Sequence, residues 1–369
     1  MIMKKYCSII IMLLLSIRIG AYDFCEGGIY FKILSVTEKT VEVTYKDNVL
    51  VGSYSGSVII PETVVHDEET YTVTSIGYSA FRFCERVTEI SIPNTVTYIK
   101  QYAFSNSSIN SITIPNSVVS IGKNAFDACY SLNQLTIDDG NEMLEFEKGE
   151  NSYYYEFESC PLNTIYIGRN ITYSSNSPFY RMGSINAIMI GNCVTEINKN
   201  LFIGCEKVEN IIIPNSVKSI GERSFCDCSG LTFVTIGNSV ITIGKEAFYG
   251  CGELTDVYCY AEKVPQTQTA TFNAANIQNA ILHVLAVSLN DYKMVQPWMN
   301  FKEIVAIKED KQGDVNGDGM VDATDIVELV NYIRGNLSGV SDSKATDVNG
   351  DGVVNIADVV KLVTIIMSE

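Results

Sequence analysis

The chain has 369 residues and a formal net charge of −17, with 43 Asp and Glu against 26 Lys and Arg. Such an acid excess argues against nucleic acid as a partner, because phosphate recognition rests on clustered Lys and Arg. With two histidines, His66 and His283, and one tryptophan, Trp298, a Ser-His-Asp site or a histidine-bearing metallohydrolase has little to draw on.

The first element is a leader. Met1-Ile2-Met3-Lys4-Lys5 precedes a mostly apolar run from Ile9 to Ile19 and then Gly20-Ala21, the order of a secretory signal peptide over residues 1–21. The run is short for a membrane span and Arg18 interrupts it. An N-terminal anchor is the alternative reading. No later segment approaches eighteen unbroken apolar residues, so the mature chain is expected to carry no span. Residues 22–70 then alternate without a repeat, as in Thr40-Val-Glu-Val-Thr-Tyr45. They read as a β cap over an otherwise open sheet edge.

Residues 71–285 hold the strongest pattern. Phe81, Phe104, Phe126, Phe157, Phe179, Phe202, Phe225, Phe248 and Phe272 fall 22 to 24 residues apart, with one gap of 31. Val217-Lys-Ser-Ile220-Gly221-Glu-Arg-Ser-Phe225-Cys-Asp-Cys228 shows the unit most clearly, followed by the strand Leu231-Thr-Phe-Val234-Thr-Ile236. Pairs such as Ile112 and Ile114, Leu135 and Ile137, and Ile211 and Ile213 alternate, so each pair faces one side of a strand. One repeat cannot bury that side. Stacked repeats can, and they predict one continuous parallel sheet over a shared apolar interior with the Phe filling the same slot in each coil. Pro-Asn or Gly-Asn after each strand turns the chain. The long unit between Asp138 and Phe157 carries Tyr153-Tyr154-Tyr155, either a tolerated insertion or a tyrosine-rich contact site.

The pattern I-x-I-P-N-S-V-x-x-I-G-x-x-A-F-x-x-C resembles the BspA-like leucine-rich repeats of Bacteroidales surface proteins. The resemblance implies a mainly β solenoid of about nine repeats and a secreted or cell-surface adhesion and binding protein, not an enzyme. Acids such as Glu89 and Glu209 lie in the repeats, but no catalytic motif surrounds them. The residues that alternate with the buried pairs, Tyr166 and Tyr258 among them, form the candidate binding face. The expected ligand is a host or bacterial surface protein or a glycan.

Six cysteines, Cys84, Cys129, Cys160, Cys205, Cys228 and Cys251, stand three residues after the recurring Phe. Cysteine behaves as a small buried hydrophobe, and stacked Cβ vectors run parallel rather than toward each other, so the thiols are expected to stay unpaired in the core. Residues 286–307, with Trp298 as anchor, read as the closing cap.

Past a linker at 308–313 the composition changes, and residues 314–369 hold two segments 33 residues apart. The first presents Asp314, Asn316, Asp318, Met320, Asp322 and Asp325, the second Asp347, Asn349, Asp351, Val353, Asn355 and Asp358. Oxygen side chains fall at positions 1, 3, 5, 9 and 12 of each, with glycine at 6 and a backbone carbonyl from position 7. That is the EF-hand ligand order, and it predicts two calcium ions. Helices are expected from Ile326 to Arg334 and from Val359 to Met367. The duplicated half-EF-hand resembles a type I dockerin, which implies a small α domain docking onto a cohesin-like module. In the family, loop positions 10 and 11 guide that choice, here Ala323-Thr324 and Ile356-Ala357. The helix positions that are often basic in the family are Val330-Asn331 and Val363-Thr364 here, a departure. Two functions are thus open: a surface adhesion scaffold, or an accessory part of an extracellular polysaccharide-degrading assembly.

Overall fold

The structure is a computed structural model, and it describes residues 21–48, 50, 52–147, 156–157, 159–174, 177–307, 312–315, 321–334 and 343–367. Residues 1–20 of the expected leader and Tyr153-Tyr154-Tyr155 lie outside the described residues. Among the described residues, no helix is long and apolar enough to cross a membrane. The chain divides into two compact units between Val305 and Ala306.

The first unit is a parallel β solenoid. Ser111–Ile114, Gln134–Ile137, Thr164–Ile167 and Ala187–Ile190 pair in parallel and in register. Ile112, Leu135, Ile165 and Ile188 therefore form one row, and Ile114, Ile137, Ile167 and Ile190 the next. Asn210–Ile213, Phe233–Ile236, Asp256–Cys259 and Ile281–Val284 pair in the same way, with Glu303–Ala306 last in that sheet.

The single continuous sheet expected from the alternation is not what forms. A second parallel ladder of short strands runs through Tyr98–Ile99, Ser120–Ile121, Leu144–Phe146 and Ile171–Tyr173, and again through Glu196–Ile197, Ser219–Ile220 and Thr242–Ile243. The reason lies in the V-x-x-I half of each repeat. Its isoleucine also points inward (Ile99, Ile121, Ile197, Ile220 and Ile243 are buried), and the backbone around it must find partners of its own. The motif glycine that follows permits the close approach. A Cβ on Gly244 would lie 2.4 Å from the Glu222 backbone nitrogen, and one on Gly221 2.5 Å from that of Lys199.

The remaining side of the coil is the turn around the recurring Phe. There the N–H of one coil donates to a carbonyl of the next: Phe81 to Ala103, Phe104 to Ala125, Phe202 to Ser224, Phe225 to Ala247, at 2.7–2.9 Å. Inside, the rings form one column from Phe81 to Phe272, with neighbouring centroids 5.1–5.9 Å apart and planes within 26°. Each ring is buried, contributing roughly 1.5–3 kcal/mol. The column does not break at the long unit, where Phe126 and Phe157 still meet at 5.3 Å.

Two side chains patch that unit. The Glu156 carboxylate accepts the N–H groups of Asn124 and Phe126, both at 2.9 Å, in place of next-coil carbonyls. Asn170 Oδ1 accepts those of Thr195 and Glu196, where the second ladder is interrupted.

The ten described cysteines are unpaired. Their recurrence has a cause beyond size: Cys129, Cys160, Cys228 and Cys251 donate their thiols to the carbonyls of Phe104, Phe126, Phe202 and Phe225 at 3.1–3.4 Å. Each thiol satisfies an acceptor one coil away.

The N-terminal strands Phe24–Glu26, Ile29–Ser35 and Thr40–Thr44 pair antiparallel. Thr40–Thr44 then pairs in parallel with Glu69–Ile76, and Ser55–Ile59 with Arg86–Ser91. The cap thus contributes the first rungs of both ladders. At the other end, Trp298 is fully buried edge-on to Phe272 and to Tyr292 of α1 (Leu289–Tyr292), 5.3 Å from each. Trp298 occupies the anchoring position expected of it.

Candidate functional site: the C-terminal loops and the outward strand face

The second unit contains α2 (Ala323–Ile333), a single turn α3 (Ser343–Thr346) and α4 (Ile356–Ile366). The helices α2 and α4 start three residues earlier than the apolar spacing suggested. The cause is a capping box at each N-terminus. Asp322 accepts the Thr324 N–H while Asp325 accepts the Asp322 N–H, both at 2.8 Å. Asn355 and Asp358 repeat the arrangement, at 2.8 Å each. Residues at loop positions 9 and 12 therefore also begin the helix. The Thr324 hydroxyl and N–H hold the Asp322 carboxyl below the usual carboxylate range. Val315, Leu329, Val348, Val359 and Leu362 form the small core beneath.

The second loop is described throughout. Asp347 Oδ1 accepts the N–H groups of Gly350 and Asp351, and its Oδ2 that of Gly352. Asp351 Oδ1 accepts from Val353, and Asn355 Nδ2 donates to the Val353 carbonyl. Asn349 Nδ2 donates to Asp351 Oδ2 at 3.0 Å. Asp358 is fully buried, its two oxygens held by the N–H groups of Asn349 and Asn355. Gly350 and Gly352 take φ of 75° and 85°, the left-handed conformation that folds the loop back on itself.

Among the described residues, no Lys, Arg or His pairs with Asp347, Asp351 or Asp358. No group of three or more acidic, His or Cys side chains is gathered there as a metal cluster either. The donor set is mixed instead, three carboxylates with two amides and one carbonyl, and an all-oxygen set of that size suits a hard cation. In the first loop Asp314 and Asp325 are buried and Asp322 caps α2. Asn316, Asp318 and Met320 lie outside the described residues.

Ala323, Thr324, Ile356 and Ala357 are all exposed on the first turns of α2 and α4. Val327 and Val360, one turn further along, are 60% and 63% exposed. The two helices therefore present equivalent faces, Ala323 with Val327 and Ile356 with Val360.

On the first unit, Tyr166 stands between Thr136 and Met189 in the outward row of its ladder. Its hydroxyl donates to Asp139 Oδ1 at 2.7 Å, a bond that pushes the phenol up to about 12. Tyr258 stands in the outward row of Ile212, Thr235 and His283. Its ring lies flat against His283 at 4.0 Å and 5.0 Å from Phe233, and His283 Nε2 lies 2.9 Å from Asp256 Oδ1. The solenoid does not bring the two tyrosines together, since they are four coils apart. The sequence reading passed over His283. It follows Tyr258 at one repeat length and occupies the same strand position, which is the signal that marks it.

Residues 69–148 and 150–279 match the BspA type leucine-rich repeat region, in six copies. Residues 312–366 match the dockerin type I domain. Both modules are non-catalytic, and no catalytic domain is identified. No curated protein matches. Among solved structures, a leucine-rich repeat protein from Bacteroides ovatus is 24% identical, covering 78% of this chain and 77% of its own, with a TM-score of 0.44. A leucine-rich cell surface protein from Faecalibacterium prausnitzii is 19% identical over 64% of this chain and 94% of its own, with a TM-score of 0.29. A leucine-rich repeat protein from T. pallidum is 17% identical over 75% of this chain and 92% of its own, with a TM-score of 0.31.

Proposed function

Because this chain belongs to the BspA-type leucine-rich repeat proteins and carries a C-terminal type I dockerin domain, we propose that it is an exported, non-catalytic binding scaffold. Its dockerin attaches it to a cohesin-like partner, and its repeat unit offers the surface that contacts host or bacterial macromolecules. The observation that carries this reading is the duplicated loop and helix, each half with the same capping box and the same exposed first turn.

Type I dockerins bind calcium. Here Asp347, Asn349, Asp351, Val353, Asn355 and Asp358 would hold one ion, and Asp314, Asn316, Asp318, Met320, Asp322 and Asp325 a second. The ion would neutralise carboxylates that have no cationic partner in the second loop. The cohesin-facing residues are Ala323 and Thr324, or by the internal duplication Ile356 and Ala357. That face is apolar, so docking would rest on burial of Ile356 and Val360 rather than on charge. The order of basic start, apolar run and Gly20-Ala21 supports export. A dockerin also favours a second reading, an accessory component of a polysaccharide-degrading complex.

The test is capture of the full chain by immobilised cohesin modules, with calcium and with EGTA. Calcium-dependent capture that is lost in a double Asp347→Ala, Asp314→Ala variant is expected. Capture that persists in EGTA, or none by any cohesin tried, would overturn the docking role.

A further inference from the structure

Phe233–Ile236 is paired on both sides, and Asn210–Ile213 is the first strand of the same sheet. A groove of about 1130 Å³ lies beside the C-terminal ends of Asn210–Ile213 and Phe233–Ile236. Asn192, Asn215 and Asn238 line it, each two residues past the last isoleucine of its strand, so successive coils place them in a row. All three are exposed. Asn215 Oδ1 accepts the Asn238 N–H at 2.9 Å, and Asn238 Oδ1 accepts the Ser239 hydroxyl at 3.0 Å. Those bonds orient both amides and leave their Nδ2 groups without a partner among the described residues. The Asn192 side chain makes no hydrogen bond there at all. Beside this row lie Ile212 and Ile241, 63% and 59% exposed, and Tyr260.

We propose that this groove binds a linear, uncharged glycan running along the stack of coils. The proposal rests on the binding-surface reading above and gives that surface a ligand class. Coils repeat about every 4.8 Å, close to the advance of a hexopyranose chain per sugar, so one amide donor meets each successive residue. Sugar rings offer hydroxyls to the amides and C–H faces to Ile212 and Ile241. Charge selects for neutrality: Glu262 and Lys263 offset each other in the lining, while the chain's net charge of −17 repels acidic polysaccharides. A protein ligand fits less well. Tyr260 is the one aromatic in the lining, whereas protein interfaces concentrate their energy in several desolvated aromatic and arginine anchors.

The experiment is native electrophoresis of the full chain, in calcium, through gels containing xyloglucan, galactomannan, a mixed-linkage β-glucan or polygalacturonate. Retardation by at least one neutral polymer and not by polygalacturonate is expected. Asn192→Ala, which breaks no internal bond, and Ile241→Glu should each weaken it by about tenfold, the effect of one or two lost contacts, with unchanged melting. Absence of retardation by every neutral polymer, equal retardation by polygalacturonate, or variants that bind like the parent would overturn the proposal. So would a surface protein whose binding Asn192→Ala abolishes while the glycans do nothing. Cohesin capture is measured separately, so a failure here with capture intact sinks the groove alone.

Discussion

Replacing Glu156 tests whether one carboxylate holds the solenoid together across its long unit. Its two oxygens take the N–H groups of Asn124 and Phe126 at 2.9 Å, bonds that other coils make to backbone carbonyls. In Glu156→Ala both donors lose their acceptor, at roughly 1–3 kcal/mol each when buried, so a loss of about 2–6 kcal/mol is expected. Glu156→Gln keeps one acceptor but turns an amide NH₂ toward the other N–H, and should lose about half as much.

The same residue gives a pH signature. Burial pushes its carboxyl up to about 8, against the ordinary 4.5, with the Cys129 thiol and the Asp127 carboxylate nearby adding to the shift. Between those values the folded chain holds the proton more tightly than the unfolded chain. The stability this group contributes is therefore full below the ordinary glutamate range and is lost as pH rises toward about 8, by no more than about 1.4 kcal/mol per pH unit. Thermal melts in calcium, followed by far-ultraviolet circular dichroism from pH 5.5 to 8.5, should show the parent losing stability faster than Glu156→Gln. Parallel curves for the two, or a Glu156→Ala variant as stable as the parent, would refute the assignment.

Phe225 is buried between Phe202 and Phe248, and Phe225→Ala should cost about 3–5 kcal/mol in a urea titration. Gly244→Ala sets a methyl against the Glu222 backbone at 2.4 Å and should cost on the order of 2–3 kcal/mol, because rigid backbone must move; a neutral effect would mean the coils have slack. Alkylation of the folded protein should label exposed Cys25 first and half-buried Cys193 more slowly. The core thiols, such as Cys205, which burial pushes up to about 12, should react only after denaturation without reductant. Core sites still unlabelled then would reveal disulfides. Chelation by EGTA should abolish the helical signal of α2 and α4 while the repeat unit's melting is unchanged, and a calcium-independent melting profile would count against the loops as ion sites.

Much of the fold was legible because the chain repeats itself. The Phe column, the inward isoleucine rows, the buried cysteines and Trp298 as end anchor all follow from period and alternation. The second ladder was missed because two or three residues are too few to show alternation. Backbone conformation was also hidden. Residues two before and two after the recurring Phe take positive φ, as in Tyr102 and Asn106 around Phe104, or Arg223 and Asp227 around Phe225, at 56–58°. Glycine marks that position at Gly204 and Gly250, but Tyr and Arg give no hint of it. Each costs roughly 1–2 kcal/mol, offset by the N–H ladder it aims at the next coil. In the loops, glycine and acid spacing carries the proposed ligand order. The helix starts were misjudged because the capping residues Asp322 and Asn355 were read as ligands alone.

The two patches around the long unit give the solenoid a seam. Elsewhere one coil is tied to the next by main-chain bonds that no substitution of a side chain can delete. At two successive boundaries part of that tie passes to a side chain, Glu156 on the Phe side and Asn170 in the second ladder, so mutation can loosen the coil there without touching the interior. The strand ladders still cross the long unit, so losing Glu156 would open the Phe side of one coil boundary and leave the strand sides closed.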